Sequence, residues 1–271
     1  MTKNTLEKII DNRIIEIENR KRLVPVERLI AKMNDYEDMY DGKFYDFKKK
    51  IQNNIDNDKI SIVAEMKEAS PSAGIIIKDY SPIKIANIYK DNNATCLSIL
   101  TEEKFFLGQM MYIAFVKSSE RMNLPVLCKD FFIDKYQIYW ARSCGADAIL
   151  IILAGVSDEL ANELYNEALK LNMSVIVEVH TVNEAKKALN FKEALIGINN
   201  RNLKTLKTDI NTTYDIHDVL INHGGPLISE SGIKTKDELI DLNIKTSIKT
   251  FLIGESLLKN LDNNSIFSVL N

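Results

Sequence analysis

Glu65 and Lys67 stand two positions apart at the end of an apolar run, Ile-Val-Ala-Glu65-Met-Lys67, and residues two apart in an extended chain share a face. A carboxylate and an ammonium held side by side are equipment for proton transfer and anion binding. The layout recurs in Val-Leu-Cys-Lys129-Asp130-Phe131, Val-Ile-Val-Glu178-Val-His180, Ile-Gly-Ile-Asn199-Asn200-Arg201, Leu-Ile-Ser-Glu230-Ser231-Gly232 and Phe-Leu-Ile-Gly254-Glu255-Ser256. Each runs from aliphatic residues into groups that move protons, donate hydrogen bonds or cradle anions.

Alternation assigns these groups to faces. Ile60, Ile62, Ala64 and Met66 form one apolar set suited to a helix layer, so Glu65 and Lys67 point the other way, inward. A pair that only filled an interior is the competing reading, and buried ion pairs are poor stabilisers because desolvation offsets their attraction. In the run that ends at Phe131, Val126 and Cys128 face outward while Leu127, Lys129 and Phe131 face inward. A lysine beside an aromatic ring is expected to be partly desolvated and therefore a better acid at neutral pH. Ile176, Glu178 and His180 share the inward parity; Glu178 is a candidate base, and His180 is read as a satisfied loop or core histidine rather than a catalytic group. Asn199 and Arg201 supply donors that orient hydroxyls and clamp a carboxylate or phosphate. Ser231-Gly232 and Gly254-Glu255-Ser256 fit an anion site built on backbone N–H groups, with Ser70 of Ser70-Pro71-Ser72-Ala73-Gly74 adding a hydroxyl. If Ser231 faces inward, strict alternation turns Glu230 outward.

These groups need a scaffold that brings many strand ends together. From Ile60 onward, apolar runs centred near Ala64, Leu97, Leu127, Leu150, Ile176, Ile196, Ile228 and Leu252 alternate with amphipathic stretches, at intervals of roughly 20 to 33 residues. Helix starts follow several runs. Ser81-Pro82 is a cap before a first-turn proline, Thr181 with Glu184 and Thr235 with Glu238 have capping-box spacing, Asp134 and Ser157 can cap, and Gly145 is a stop. Parallel strands joined by helices with chemistry at the strand ends predict an α/β fold, a (β/α)8 TIM barrel. Before it, Leu6, Ile9, Ile10, Ile14 and Ile17 have helical spacing behind an Asn4 and Glu7 start, Val24-Pro25 interrupts, and a second helical stretch follows. Residues 1–59 are therefore expected to be helices packed on the barrel within one domain spanning 1–271, with Asn53 to Lys59 as the link.

Composition bounds the function. The 271 residues are 45% hydrophobic and 27% charged with formal net charge -3, and Lys and Arg are dispersed, which argues against nucleic acid as a partner. No run approaches membrane-spanning length and the N-terminus lacks a signal-peptide core. Cys96, Cys128 and Cys144 are odd in number and widely spaced, which argues against a disulfide framework or a thiolate metal site and places the chain in the cytoplasm.

Seven motifs together resemble the indole-3-glycerol-phosphate synthase family: Ala-Glu65-Met-Lys67-Glu-Ala-Ser70-Pro71-Ser72, Leu-Thr101-Glu102-Glu103-Lys-Phe105-Phe106-Leu-Gly108, Leu-Cys-Lys129-Asp130-Phe131, Glu178-Val-His180, Ile-Gly197-Ile-Asn199-Asn200-Arg201-Asn202-Leu203, Ser-Glu230-Ser231-Gly232-Ile and Ile-Gly254-Glu255-Ser256-Leu. The resemblance implies an enzyme of tryptophan biosynthesis that closes the ring of 1-(2-carboxyphenylamino)-1-deoxyribulose 5-phosphate, with loss of carbon dioxide and water, and needs neither cofactor nor metal. It implies Lys129 as the general acid, Glu178 as a base or cation stabiliser, Lys67 as an anion ligand or the acid of dehydration, and Glu65 as the residue that orients the lysines. Asn199, Arg201, Glu230 and Ser231 are implied at the substrate's hydroxyl and carboxylate region, Ser70, Gly232, Gly254 and the Glu255 N–H at the phosphate, and Phe105, Phe131 and Leu150 around the aromatic ring. Ala73 and Glu68 depart from the family's usual basic residues and Gln109 from its commoner serine, so the mouth is expected to attract a dianion less strongly. Competing readings are another phosphate-binding barrel, either an isomerase or a Schiff-base aldolase, and a catalytically silent barrel acting as a binding subunit. Protein partners are not legible.

Overall fold

Three helices precede the first strand: α1 (Thr5–Leu23), α2 (Val26–Met39) and α3 (Phe47–Asp56). The chain then runs β1 (Ser61–Met66), a small antiparallel hairpin of β2 (Ala69–Ser70) and β3 (Gly74–Ile75), α4 (Pro82–Asp91), β4 (Cys96–Leu100), α5 (Glu103–Phe106), α6 (Met111–Lys117), β5 (Val126–Lys129) and α7 (Lys135–Ser143). It continues through β6 (Ala148–Ile152), α8 (Asp158–Lys170), β7 (Ser174–Val179), α9 (Val182–Ala188), β8 (Leu195–Asn199), α10 (Asn211–Leu220), β9 (Leu227–Glu230), α11 (Lys236–Thr246), β10 (Thr250–Ile253) and α12 (Glu255–Leu258). The computed structural model describes residues 3–39, 44–261 and 265–270. β1, β4, β5, β6, β7, β8, β9 and β10 are parallel and close into a barrel, β10 pairing with β1. Each apolar run of the sequence falls inside one of these strands, and among the described residues no helix is long and apolar enough to cross a membrane.

Alternation sorts the strand residues as expected. Val63, Leu127, Leu150, Ile176, Ile228 and Leu252 fill the barrel interior, while Ile62, Ala64, Val126, Cys128, Val175 and Val177 pack against the helices. The barrel strands are buried on both faces, which is why these segments read as aliphatic runs rather than as alternating polar and apolar residues. The caps also form. Ser81, Asp134, Ser157 and Thr235 each accept a backbone N–H of the following helix, and Asn4 with Glu7 and Thr235 with Glu238 make reciprocal boxes. Thr181 caps α9, but the Glu184 carboxylate takes the His180 N–H at 2.7 Å instead of closing a box with Thr181.

The N-terminal segment differs from the sequence expectation in three ways. A third helix, α3, capped by Asp46, occupies most of the stretch expected to be the Asn53–Lys59 link, leaving only the residues after Asp56 to connect it to β1. Ile14 is 49% exposed, and Arg13 takes the buried position between Ile9 and Ile17 on the same face of α1. The helices also reach both ends of the barrel. Leu6 and Ile9 of α1 join Phe131 and Ile152 at the C-terminal strand ends, whereas α3 sets Phe47 and Ile51 among the interior residues at the opposite end. There Lys48 N–H donates to Ser174 Oγ at the start of β7, and Asn54 Nδ2 donates to Ser61 Oγ at the start of β1. Full burial of Phe47 and Ile51 contributes roughly 3–6 kcal/mol before ordering entropy is charged, at about 1.5–3 kcal/mol per side chain.

Candidate active site

Three strand ends meet at one lysine. Lys129, at the end of β5, donates to Glu178 Oε2 of β7 at 2.9 Å and to Glu230 Oε2 of β9 at 2.8 Å. Glu65 of β1 hydrogen-bonds Lys67 just beyond the strand. Glu178 and Glu230 are each 1% exposed, so water hardly screens the cluster.

Three features of the cluster differ from the sequence reading. Burial alone would lower the Lys129 pKa, but Glu178, Glu230 and Glu65 outweigh it and raise it above the ordinary lysine value. Lys129 is therefore a firmly charged donor rather than an ammonium made acidic by desolvation. Glu230 faces inward with Ile228, not outward. Ser231 lies beyond the strand with φ 64, and this left-handed step lets it line the mouth as well, so alternation through Glu230 and Ser231 does not hold. His180 is not merely an internally satisfied histidine: its ring lies 3.2 Å from Glu178 and 3.3 Å from Glu184.

The two glutamates on Lys129 are unequal. Glu178 is held well below the usual carboxylate range: Lys129 and His180 overcome the burial that opposes its charge. Glu230 is pushed up to about 7, chiefly by burial and by the neighbouring Glu178 charge, against the pull of Lys129. One carboxylate stays ionised while the other titrates near neutrality, an arrangement that separates acid and base roles.

Two hollows flank this cluster. The larger, about 340 Å³, is lined by Ser231, Gly232, Gly254, Glu255 and Ser256 together with Lys67, Arg201, Lys234 and Lys259. Four cations against the carboxylates of Glu65 and Glu255 give it an excess of positive charge suited to an anion, with the start of α12 beside it. The smaller, about 80 Å³, is walled by Leu100, Phe106, Phe131, Leu150 and Ile152 and has Lys129, Glu178 and Asn199 among its polar groups. Lys67, Arg201 and Ser231 border both. The Asn199 side chain accepts the Arg201 N–H at 2.9 Å, and Arg201 Nη1 donates to Ser72 Oγ of the first loop at 2.9 Å.

Two expected residues stand elsewhere. Ser70 is not in the anion hollow; it lines a separate recess with Leu6, Ile9, Phe106 and Phe131, its hydroxyl accepting the Ala73 N–H. Phe106, not Phe105, lines the apolar hollow, with its ring 6.1 Å from that of Phe131. Phe105 packs against the same interior cluster as Phe106 but does not border the hollow. Glu102, whose carboxylate accepts the N–H groups of Lys104, Phe105 and Phe106, sets this order by capping α5.

Sequence reasoning also missed several supporting residues. Asn200 turns away from the mouth: it donates to Ser229 Oγ and Ser231 O and accepts from Thr213, tying the end of β8 to β9 and α10. Gly197, quoted in a motif but given no task, leaves room for Glu230. A Cβ at this position would stand 2.0 Å from Glu230 Oε1 and 3.1 Å from the Ile176 side chain. Gly197→Ala is thus expected to push Glu230 off Lys129, lowering kcat by about tenfold or more while costing about 1–3 kcal/mol of stability. Steady-state kinetics with a thermal melt measure both, and wild-type kcat in a folded variant would refute the assignment. Gly254 serves likewise, since a Cβ there would lie 2.4 Å from Glu65 Oε1 and 3.1 Å from Lys67 Nζ.

A closed parallel barrel whose strand ends join a lysine–glutamate cluster to an anion hollow defines the class: a (β/α)8-barrel enzyme for general acid/base work on a small phosphorylated substrate. The chain belongs to the indole-3-glycerol phosphate synthase family, whose model matches residues 6–269. It is 42% identical over 273 residues to the indole-3-glycerol phosphate synthase of a Prochlorococcus marinus strain, covering 99% of this chain and 89% of that one. It is 39% identical over 257 residues to that of a Thermoanaerobacter species, with 95% and 93% covered. Among solved structures, 3-keto-L-gulonate-6-phosphate decarboxylase from Vibrio cholerae resembles it with TM-score 0.57 at 13% identity, covering 78% of this chain and 95% of that one. Phosphoribosylanthranilate isomerase from Thermotoga maritima does so with TM-score 0.53 at 10% identity, covering 78% and 94%. These two show the fold alone.

Proposed function

We propose that this protein converts 1-(2-carboxyphenylamino)-1-deoxyribulose 5-phosphate to indole-3-glycerol phosphate in the cytoplasm, and that the residues around Lys129 carry the reaction. Family membership supports the activity, and the three buried free thiols fit a reducing compartment. The observation that carries the residue roles is the Lys129 ammonium held between Glu178 and Glu230 beside an apolar wall, one strand end from a cationic hollow.

The substrate's phosphate occupies the hollow lined by Gly232, Gly254 and Glu255, and its aromatic ring lies against Phe106, Phe131 and Leu150. Arg201 and Lys67, which border both hollows, hold the anionic groups between them. The aromatic carbon bearing the carboxylate attacks the ketone, and the oxygen gains negative charge as the carbon–carbon bond forms. Lys129 gives that oxygen a proton. Although its pKa is raised, a developing alkoxide is the stronger base, and a donor fully charged at neutral pH is always ready. Carbon dioxide then leaves from the tetrahedral ring carbon, its bonding electrons returning to the ring system. Dehydration follows: the hydroxyl leaves as water after taking a proton from Lys67, or from Lys129 once solvent has returned the proton spent in ring closure, and loss of one proton of the new ring's CH2 group to Glu178 restores aromaticity. Glu65 orients Lys67 through their hydrogen bond.

A Schiff-base aldolase would need an uncharged amine, which the carboxylates around Lys129 oppose. The test is direct. Purified protein incubated with the carboxyphenylamino deoxyribulose phosphate is expected to develop indole fluorescence and release carbon dioxide, and folded protein that yields neither refutes the proposal.

A further inference from the structure

His180 stands two residues beyond Glu178, just past the end of β7, and the chemistry above leaves it without a task. Its ring lies between carboxylates from two elements: Nε2 is 3.2 Å from Glu178 Oε1 on β7, and Nδ1 is 3.3 Å from Glu184 Oε2 on α9. Glu184 is fixed in turn, because the same oxygen accepts the His180 backbone N–H. The other oxygen of Glu178 holds Lys129 of β5, which also holds Glu230 of β9. Glu184, His180, Glu178, Lys129 and Glu230 thus form a row of alternating charge running from the start of α9 to the centre of the mouth. Among the described residues, the charged groups at ion-pair distance from the ring are those two glutamates.

The geometry sets the protonation state of the ring. A neutral imidazole carries a proton on one nitrogen only, so in either tautomer a lone pair would face a carboxylate oxygen. Only the doubly protonated ring suits both neighbours. Neither His180 Nε2 nor Glu178 Oε1 has a hydrogen-bond partner among the described residues, so the 3.2 Å ion-pair contact is what compensates each of them. Burial opposes the charge, yet Glu178 and Glu184 raise the pKa to about 9. His180 borders none of the three hollows at the mouth, so it does not line the space assigned above to the substrate.

We infer that His180, kept as an imidazolium by Glu184, is a positioning residue that fixes the direction and the negative charge of Glu178 and, through Glu178, the aim of Lys129. This role rests on the reading that Glu178 and Lys129 move the protons. A histidine whose folded pKa is raised holds its charge below that value and loses it as pH rises through it. In the wild type the role therefore persists to about pH 9.

Glu184→Gln separates this role from helix capping. The amide oxygen still accepts the His180 N–H, but the charge that holds the imidazolium is gone, and the His180 pKa should fall toward the ordinary value of about 6.5. At about pH 6 the ring is charged in both proteins, so their kcat values should agree within about twofold. At about pH 8 the variant should be slower by about tenfold, with KM little changed. His180→Gln, a donor without charge, should be slower at both pH values. Imidazole titration by NMR in the intact protein should place His180 near 9 in the wild type and at least about one unit lower in Glu184→Gln. A ratio of kcat values that does not change with pH, or a wild-type imidazole titrating at its ordinary value, overturns the inference. A wild type without turnover defeats the proposed function instead, a result distinct from active enzyme with a flat ratio.

Discussion

Lys129→Ala is expected to remove turnover almost completely while leaving the anion hollow able to bind. A positioned general acid contributes about 10²–10⁴ in rate, and here the same ammonium also neutralises two carboxylates that are each 1% exposed. Without it, Glu178 and Glu230 would face one another in a poorly screened interior, and two like charges there cannot both persist. Glu230, already pushed up to about 7, takes the proton. The variant would thus lose its acid and also alter the protonation of the carboxylates. Substrate affinity should fall much less, because Gly232, Gly254, Lys234 and Lys67 remain around the phosphate. Indole fluorescence measures the rate and titration calorimetry the affinity. Turnover within about tenfold of the wild type would be far too fast for a protein that had lost its general acid, and would move that role to Lys67.

The largest expected loss of stability comes from a residue remote from the reacting atoms. Arg13 and Asp130 are each 1% exposed and joined by two hydrogen bonds, Nε to Oδ1 at 2.9 Å and Nη2 to Oδ2 at 2.5 Å. Thr101 donates to the same carboxylate, and Arg13 also reaches Glu16. Arg13→Ala would strand the Asp130 charge in the interior, which costs about 3–5 kcal/mol against a total of about 5–15 kcal/mol for a whole domain. The midpoint of thermal unfolding should drop by roughly 6–20 °C, at about 2–4 °C per kcal/mol. Because Asp130 follows Lys129 directly, kcat should fall as well. Arg13→Met combined with Asp130→Asn leaves no stranded ion and should recover part of the loss. A single variant that melts with the wild type would show that the pair does not hold α1 to the end of β5.

Arg13 also marks the limit of what the sequence discloses. On one strand of text an arginine in an amphipathic helix belongs to the solvent face, so Ile14 is the natural choice for the buried stripe. Burial of Arg13 depends on Asp130, more than a hundred positions away, and helical periodicity carries no information about a distant partner. Local signals fared better. The aliphatic runs marked all the barrel strands because a strand covered on both faces must be apolar throughout, and the caps at Ser81, Asp134, Ser157 and Thr235 formed because a cap needs only residues within the next turn.

The opening pattern, reactive residues at the ends of apolar runs, has the same division. The sequence alone determined which residues have the chemistry, and through period-two alternation it placed Glu65, Lys129 and Glu178 on the inward face. Tertiary structure decided what those residues are to one another. It set Glu230 on Lys129 where local alternation pointed it outward, made Lys129 a tightly held cation, exchanged Phe105 for Phe106, took Ser70 out of the anion hollow, and joined His180 to Glu178. The reason is physical: backbone geometry acts over a few residues, whereas pKa values and contacts in a barrel mouth depend on charges from strands far apart in the chain.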